Sequence, residues 1–458
     1  MMSNHSVDNT AMIHNLCGEF LKHNQIDPIH YENLDVKRGL RNADGTGVMA
    51  GITQIGDVQG YYYDEHGKKT AMPGRLIFRG INMEDLINGF MAEHRFGFEE
   101  TAYLLLLGAL PTKEQLEQFT KALADYRFLP DRFTEDMILA APSHDVMNKL
   151  ARSVLALYSY DSDPDNNGIE NELRQAMQLI ARCSTIVAHA FAAKRHYFDN
   201  ESLYLHRPQE DLSLAQNFLH SIRPDNQYTE EEARLLDLCL VLHMEHGGGN
   251  NSAFACRVLS SSGTDIYSSI AAAVGSLKGP RHGGANKKVM EMFSYIESGV
   301  KDWRDDGQIR DYLAKLIRKE EGDRSGLIYG MGHAIYTLSD PRAVILKRFA
   351  KNLAAKDPKM LEEFELFEAV ERLTPEVFHD LTGNDKIMCA NVDLYSGLVY
   401  KMLGIPGELY TPLFAMARIV GWCAHRVEEV YNPGNKIIRP AYKAVAPYRD
   451  FVPLNQRG

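Results

Sequence analysis

Two long segments of helical pattern, residues 168–197 and 229–246, are apolar on more than one face and constrain the fold most strongly. A helix of this kind has no solvent-facing side, so it must lie inside a large helical bundle or in a subunit interface. The second segment runs into HMEHGGGNNS, from His243 to Ser252. Its glycines let the backbone approach a neighbouring group closely, and His246 offers an imidazole at the helix end. The pattern predicts a buried helix that ends at a binding site.

Most of the chain beyond Asn82 shows the apolar spacing of helices. Two capping-box sequences mark helix starts, one at Thr112 with Gln115 and the other at Thr229 with Glu232. No internal repeat and no low-complexity tract interrupts the pattern. The sequence therefore predicts a mainly α protein.

The β signal is confined to about residues 44–80, where glycines separate short apolar runs. The run GRLIFRG at 74–80 is typical of a strand, and DEHG at 64–67 is typical of a turn. Further towards the N-terminus, residues 9–22 have a weak amphipathic pattern, which we interpret as an arm that lies on a partner. We therefore expect a small β segment near the N-terminus.

Composition argues against several classes of function. With 50 basic and 61 acidic residues the net charge is −11, which argues against a general binder of nucleic acids or membrane surfaces. The six cysteines are scattered and form no CxxC pair, so neither a metal site nor a disulfide framework is expected. We find no signal peptide, and no apolar run approaches about 18 residues. The expected location is the cytoplasm, without a membrane span.

Polar side chains recur where helical segments give way to glycine or asparagine. Besides His246, these are His282 in KGPRHGGAN, His333 in GMGHAIY and Asp393 in NVDLYSG. An imidazole near a helix N-terminus tends to stay neutral, which suits His282 to donate to an oxygen that gains charge. Taken singly, each could be structural, for example as a helix cap. Together they predict one proton-transfer site gathered from distant parts of the chain.

Three arginines accompany these breaks. Arg342 follows Asp340 and Pro341 in the first turn of a helix, where a cation opposes the helix dipole and suggests a bound anion. Arg418 lies in the apolar stretch LFAMARIVGW, where a guanidinium needs a buried anion. Arg439 lies in KIIRPAY near the C-terminus. Ion pairs, or solvent for Arg439, are the structural alternatives. Because arginine binds carboxylates through two parallel hydrogen bonds, the set predicts a small di- or tricarboxylate substrate.

At these motifs the chain resembles the citrate synthase family. HMEHGGGNNS, GSLKGPRHGGAN, GMGHAIYTLSDPRA, NVDLYSG and LFAMARIVGW followed by RP occur in the family's order. The resemblance runs from about residue 35 to the C-terminus. It implies a citrate synthase-like, two-domain helical fold. Residues 1–282 and 399–458 would form the large domain, and 283–398 a small domain that closes over the cleft.

The resemblance also implies an activity. An acyltransferase homodimer would condense acetyl-CoA with oxaloacetate and hydrolyse citryl-CoA to citrate and CoA, as in the tricarboxylic acid cycle. Acetyl-CoA would be a co-substrate, with no permanently bound cofactor. One alternative is a 2-methylcitrate synthase, which uses propionyl-CoA with the same catalytic set. Another is a non-catalytic assembly scaffold, which is expected to have lost the histidines and the aspartate.

Catalytic roles follow from motif positions in the resemblance. It implies that Asp393 takes a proton from the acetyl methyl group, that His282 donates to the thioester oxygen, and that His333 polarises the oxaloacetate carbonyl. Many members of the family have Asp at the position of Glu245 and Glu at the position of Gly247. This departure bears on how the histidine between them is oriented.

Binding roles follow in the same way. The resemblance implies that His246 and Arg342 hold oxaloacetate and that Arg418 binds one of its carboxylates. Arg439 would reach the active site of the partner subunit. The loop that would line the adenine of CoA contains Gly330, Met331 and Gly332.

Overall fold

The computed structural model describes residues 10–384, 387–432, 434 and 436–457. The chain forms two units. The larger unit is Ile52–Ile438, and the smaller unit comprises the described parts of Met1–Gly51 and Arg439–Gly458. The predicted domain boundaries near residues 282 and 398 fall inside the larger unit and remain predictions.

The smaller unit contains the helix α1 (Thr10–His23) and the short helix α2 (Ile29–Asn33). The amphipathic segment predicted at 9–22 is thus confirmed as a helix, while residues 1–9 lie outside the described part of the chain. No residue of α1 is buried, and its apolar side chains Met12, Leu16 and Phe20 are more than half exposed. The expected contact of this arm with a partner remains a prediction.

The larger unit begins with the β segment expected from the sequence. Strand β1 (Gly56–Tyr63) pairs antiparallel with β2 (Lys69–Phe78), and β2 pairs antiparallel with β3 (Ile81–Asn82). The register places Gly56 opposite Phe78, and the turn predicted at DEHG connects the first two strands. The predicted strand GRLIFRG is confirmed up to Phe78.

Fifteen further helices, all within the described residues of the larger unit, make up most of the fold. They are α3 (Met83–Ala92), α4 (Phe98–Leu107), α5 (Lys113–Tyr126), α6 (Val146–Ala156), α7 (Ile169–Asp199), α8 (Leu214–Ile222), α9 (Glu230–His243), α10 (Asn251–Ser260), α11 (Ile266–Lys278), α12 (Ala285–Gly299), α13 (Asp306–Ile317), α14 (Pro341–Ala354), α15 (Pro358–Thr382), α16 (Val392–Met402) and α17 (Tyr410–Tyr431). The predicted mainly α fold with a small β segment is confirmed.

Local side-chain hydrogen bonds set the starts of two helices as predicted. Thr112 Oγ1 accepts from Gln115 N–H at 3.3 Å, and Gln115 Oε1 accepts from Thr112 N–H at 2.8 Å. Thr229 and Glu232 make the same reciprocal pair at 3.2 and 2.7 Å. Both capping boxes are confirmed.

Helices α17 and α7 lie at the centre of the larger unit. Every residue of α17 from Pro412 to Arg426 is buried, and this helix packs against α4, α7, α9, α10 and α11. By length and composition alone α7 could cross a membrane, but 72% of its apolar window is buried inside the protein. It therefore serves as a core helix, as its pattern on more than one face predicts.

Four helix breaks supply the candidate site, and all four occur where the sequence predicts them. They separate α9 from α10, α11 from α12, α13 from α14, and α15 from α16. The first break begins at His243, three residues before the end of the predicted segment. There Gly247 adopts a φ of +83° and donates its N–H to the Glu245 carboxylate, which turns the chain out of the helix.

Candidate active site

Backbone pairing joins the two breaks that carry His333 and Asp393. Residues 330–332 run beside 389–391, and Gly332 N–H donates to the carbonyl of Cys389 at 2.8 Å. Asn391 Nδ2 donates to the carbonyl of Gly332 at 2.9 Å. His333 and Asp393 therefore come shortly after two paired segments that are about sixty residues apart in the chain.

The loop predicted to line CoA is built by its two glycines. Gly330 has a φ of +84° and Gly332 a φ of +87°, which side chains rarely tolerate. A Cβ on Gly330 would also lie 2.9 Å from the side chain of Leu394. Between them, Met331 pairs with Ala390. The backbone therefore makes a tight turn over the start of α16; its contact with CoA remains a prediction.

The hydrogen bonds of His333 fix its tautomer. Its Nδ1 accepts from the N–H groups of Ile335 and Tyr336, both at 3.1 Å. The proton of the neutral imidazole therefore lies on Nε2, which makes this atom a donor. The ring stacks on Tyr336 with centroids 4.6 Å apart and meets the ring of His246 edge-on at 5.2 Å. The structure thus brings His246 and His333 together.

His246 is a buried, neutral imidazole. Burial lowers its pKa well below the ordinary value, and the nearby Arg342, His333, Arg418 and His282 lower it further. Its Nε2 atom has no hydrogen-bond partner among the described residues. Because a buried ring nitrogen without a partner costs free energy, His246 is suited to bind a polar ligand.

His282 lies on the loop before α12, whose N-cap residue is Gly284. Its Nε2 lies 3.0 Å from Ser252 Oγ, which accepts from Trp422 Nε1 at 3.1 Å and lies 2.9 Å from Asn250 Oδ1, to which it can donate. Burial lowers the pKa of His282 to about 4, and Arg418 contributes. The imidazole is thus neutral as expected, but burial is the main cause rather than the helix dipole that we invoked. Sequence reasoning missed Trp422, which carries no motif signal of its own, and gave Ser252 no role.

Arg342 is held by the residue that caps its own helix. Asp340 Oδ1 accepts from the N–H of Arg342 at 3.0 Å and caps α14, while its carboxylate also accepts from Nε at 3.0 Å and Nη2 at 2.7 Å. Arg342 thus forms an ion pair, the structural alternative, but both side chains are buried and the acid belongs to its own helix cap. Asp340 also accepts from Val392 N–H at 3.2 Å, which ties α14 to α16.

Arg418 presents an open guanidinium edge. Its Nε donates to the carbonyl of His243 at 2.5 Å, whereas Nη1 and Nη2 have no partner among the described residues. Burial lowers its pKa to about 9; Glu245 raises the pKa, Arg342 lowers it and Asp393 raises it. The structural ion pair considered as the alternative is therefore not formed. Two adjacent buried N–H groups without partners match the two oxygens of a carboxylate.

Asp393 lies in the first turn of α16 but does not cap it. Asn391 is the N-cap residue, and its Oδ1 accepts from the N–H of Asp393 at 3.0 Å. The N-cap alternative for Asp393 is therefore wrong. Burial raises the pKa of Asp393 to about 6, while Arg342 lowers it, Asp340 raises it and Arg418 lowers it. Its carboxylate is free to accept protons near neutral pH.

Arg439 is exposed and belongs to the smaller unit. Its predicted contact with the partner subunit's site remains a prediction. The other predicted residues lie in the larger unit, and electrostatic influence links His246, His282, His333, Arg342 and Arg418. This group, with the adjoining Asp393, combines an anion-binding edge, neutral imidazoles and a weakly acidic carboxyl group.

Comparison with known proteins agrees with this arrangement. The family model for the citrate synthase C-terminal domain matches residues 43–441. The citrate synthase of Synechocystis sp. is 34% identical over 390 residues, which cover 84% of this chain and 88% of the relative. The 2-methylcitrate synthase of Shewanella oneidensis is 32% identical over 390 residues, covering 83% and 92%.

A solved structure is also similar. The citrate synthase of the archaeon Thermoplasma acidophilum, in a ternary complex with carboxymethyl coenzyme A and oxaloacetate, aligns with a TM-score of 0.75. It is 27% identical, and the alignment covers 92% of this chain and 99% of the other. The fold and the relatives define an enzyme that transfers an acyl group. The chain belongs to the citrate synthase family.

Proposed function

We propose that the protein condenses acetyl-CoA with oxaloacetate and hydrolyses citryl-CoA to citrate and CoA. The observation that carries this proposal is the open edge of Arg418, buried among neutral imidazoles and near Asp393. An anionic substrate with a carboxylate and a carbonyl group satisfies these groups. The Thermoplasma neighbour, whose complex contains oxaloacetate and a coenzyme A derivative, supports the same substrates.

The first chemical step is the removal of a proton from the acetyl methyl group by Asp393. A thioester α-proton is far less acidic than an ordinary carboxyl group. The raised pKa of Asp393, about 6 against 3.8, makes it a stronger base by about 3 kcal/mol. The remaining barrier is lowered by hydrogen bonds to the enolate, for which one well-placed donor contributes roughly 3–4 kcal/mol.

His282 supplies this donor. For this role the imidazole proton must lie on Nδ1, with the hydroxyl proton of Ser252 directed to Nε2 rather than to Asn250 Oδ1. The low pKa of His282, about 4, keeps the ring neutral at physiological pH. It therefore stabilises an enol or enolate without a full proton transfer in the ground state.

His333 acts on the other substrate. Two backbone N–H groups occupy its Nδ1, so Nε2–H donates to the carbonyl oxygen of oxaloacetate. This polarises the carbonyl for attack by the enolate carbon. As the new carbon–carbon bond forms, the same nitrogen supplies the proton for the alcohol. His246, Arg342 and Arg418 hold the carboxylates and orient the carbonyl.

The active form proposed here is a homodimer in which Arg439 reaches the site of the partner subunit. Support comes from the smaller unit, where Arg439 is exposed and where several large apolar side chains are more than half exposed. Examples are Phe20 in α1, and Tyr442 and Tyr448, which are 94% and 95% exposed. Exposed apolar groups of this size are typical of subunit contacts.

Further assignments of domain, loop, location and cofactor complete the proposal. Residues 283–398 form the small domain whose closure removes water from the reaction, and the loop with Gly330, Met331 and Gly332 lines the adenine of CoA. The protein is assigned to the cytoplasm, because the cysteines are all free thiols, as in a reducing compartment. No cofactor other than the acyl-CoA substrate is required.

A thiol-release assay tests the reaction. Purified protein is mixed with oxaloacetate and with acetyl-CoA, propionyl-CoA or butyryl-CoA, and the product is identified by mass spectrometry. Highest kcat/KM with acetyl-CoA and formation of citrate support the proposal. Preference for propionyl-CoA identifies a 2-methylcitrate synthase, the activity of the Shewanella relative. Folded protein that releases no thiol from any acyl-CoA refutes both and supports an assembly scaffold.

A further inference from the structure

The carboxylate of Glu245 lies fully buried directly before His246. Its Oε1 accepts from His425 Nε2 at 2.9 Å and from Gly247 N–H at 2.5 Å, and its Oε2 has no partner among the described residues. Burying a carboxylate is costly unless it is paired and fully hydrogen-bonded. The reaction proposed above does not use Glu245, so its burial calls for another reason.

Two glycines shape a slot for this side chain. A Cβ on Gly56 would lie 2.8 Å from Glu245 Cγ, and a Cβ on Gly421 would lie 2.5 Å from Oε2. Both distances are too short for a real side chain. Strand β1 and helix α17 therefore approach Glu245 closely, and its carboxylate has little freedom to move.

A chain of buried polar groups continues from Glu245. His425 Nδ1 accepts from Arg257, at 2.7 Å from Nη2 and 3.2 Å from Nε. The proton of a neutral His425 must then lie on Nε2, where it is donated to Glu245. Arg257 also pairs with Glu428 and with Glu429, the latter at 2.6 Å. Each group in this chain fixes the orientation of the next one.

The charge of Glu245 also acts on the substrate pocket. Burial alone would raise the pKa of Glu245, but His425, Arg418 and Gly247 N–H together hold it below its usual value. The attraction between Glu245 and Arg418 also raises the pKa of Arg418, which burial lowers. Glu245 thus compensates the charge of Arg418 without occupying Nη1 or Nη2.

We infer that Glu245 and His425 are positioning residues for oxaloacetate. Their hydrogen bond holds residues 245–247 so that the imidazole of His246 faces the substrate. The carboxylate of Glu245 compensates the charge of Arg418 while leaving its Nη groups open to a substrate carboxylate. This inference rests on the proposed function, because it assumes that His246 and Arg418 bind oxaloacetate.

The test measures the Kd of oxaloacetate by isothermal titration calorimetry without acyl-CoA. Glu245→Gln removes the charge and is expected to weaken binding by about tenfold or more. The matched control is Glu172→Gln, which neutralises another buried carboxylate. Glu172 lies on α7 and pairs at 2.7 Å with Arg426, the neighbour of His425 on α17. The control is expected to lower the melting temperature but to leave the Kd within about twofold of wild type.

Two substitutions of His425 separate its two hydrogen bonds. In His425→Asn the amide replaces Nδ1, so the contact with Arg257 is kept and the contact with Glu245 is lost. In His425→Gln the amide nitrogen replaces Nε2 and can still donate to Glu245. We expect the Gln variant to bind oxaloacetate about tenfold more tightly than the Asn variant. This pair decides the question if Glu245→Gln does not fold.

Two results would overturn the inference: folded Glu245→Gln with a Kd within about twofold of wild type, or equal weakening in Glu245→Gln and Glu172→Gln. If Glu245→Gln does not fold, equal Kd values of oxaloacetate for His425→Asn and His425→Gln would also overturn the inference. These results differ from failure of the proposed function, in which the wild type itself neither binds oxaloacetate nor releases thiol.

Discussion

Replacing Asp393 by Asn should abolish catalysis and yet stabilise the folded protein above pH 6. The pKa of Asp393 is raised to about 6 by burial, against an ordinary value of 3.8. At this site folding therefore takes up a proton between these two pH values, and the contribution of Asp393 to wild-type stability falls as the pH rises from about 4 to about 6. Above pH 6 the charged carboxylate destabilises the folded state, and the neutral amide of Asn removes this cost.

The magnitude follows from the pKa difference. About two pKa units correspond to about 3 kcal/mol at most. Asp393 is partly exposed, so solvent reduces this value, and we expect a gain of about 1–2 kcal/mol at pH 8. The gain should shrink as the pH falls towards 4, because Asp393 is then protonated in the folded wild type as well.

Urea unfolding of wild type and Asp393→Asn at pH 4, 6 and 8 measures this difference. Asp305→Asn is a control of opposite sign, since hydrogen bonds from Gln308 and Gly307 hold the pKa of Asp305 below its ordinary value. Its replacement should not stabilise the protein at pH 8. If Asp393→Asn is less stable than wild type at pH 8, or if its gain is the same at every pH, the reasoning about the base is refuted.

Three further predictions concern activity. Wild-type kcat/KM for acetyl-CoA should fall about tenfold per pH unit below about pH 6, as Asp393 is protonated; a constant rate down to pH 5 contradicts the base assignment. Arg418→Lys should raise the KM for oxaloacetate about tenfold or more in steady-state assays, because an ammonium group cannot match both carboxylate oxygens; an unchanged KM argues against the open-edge contact. Heterodimers of Arg439→Ala and Arg418→Ala subunits should recover about half of the wild-type activity, since one site is then intact; no recovery in verified heterodimers excludes a contribution of Arg439 across the dimer.

In the candidate site, buried arginine charges lie beside neutral imidazoles. Burial, together with Arg342 and Arg418, lowers the pKa of His246, so this ring stays neutral and needs no counter-ion that would block the substrate. Asp340, the N-cap residue of α14, forms an ion pair with Arg342. Glu245 compensates the charge of Arg418 without a direct hydrogen bond to its Nη groups. The pocket is therefore cationic enough to attract a dicarboxylate while its histidines remain neutral donors.

The sequence alone determined the features that depend on neighbours along the chain. The capping boxes at Thr112 and Thr229, the strand up to Phe78 and the helix breaks at His246 and His282 follow from local hydrogen bonds and apolar spacing. Such interactions join residues a few positions apart, so a short stretch of sequence contains them completely. The motifs and their order along the chain were also sufficient to predict the family.

Only the tertiary structure decided which distant groups meet. Ser252 contacts both His282 and Trp422, and Glu245 pairs with His425 across 180 positions. The Nη groups of Arg418 have no partner in the part of the chain that the structure describes. These outcomes depend on how α9, α12 and α17 pack, because burial and the distance between side chains set both the partners and the pKa values. No spacing within the sequence encodes those distances, and for this reason the positioning of the site became visible only in the folded chain.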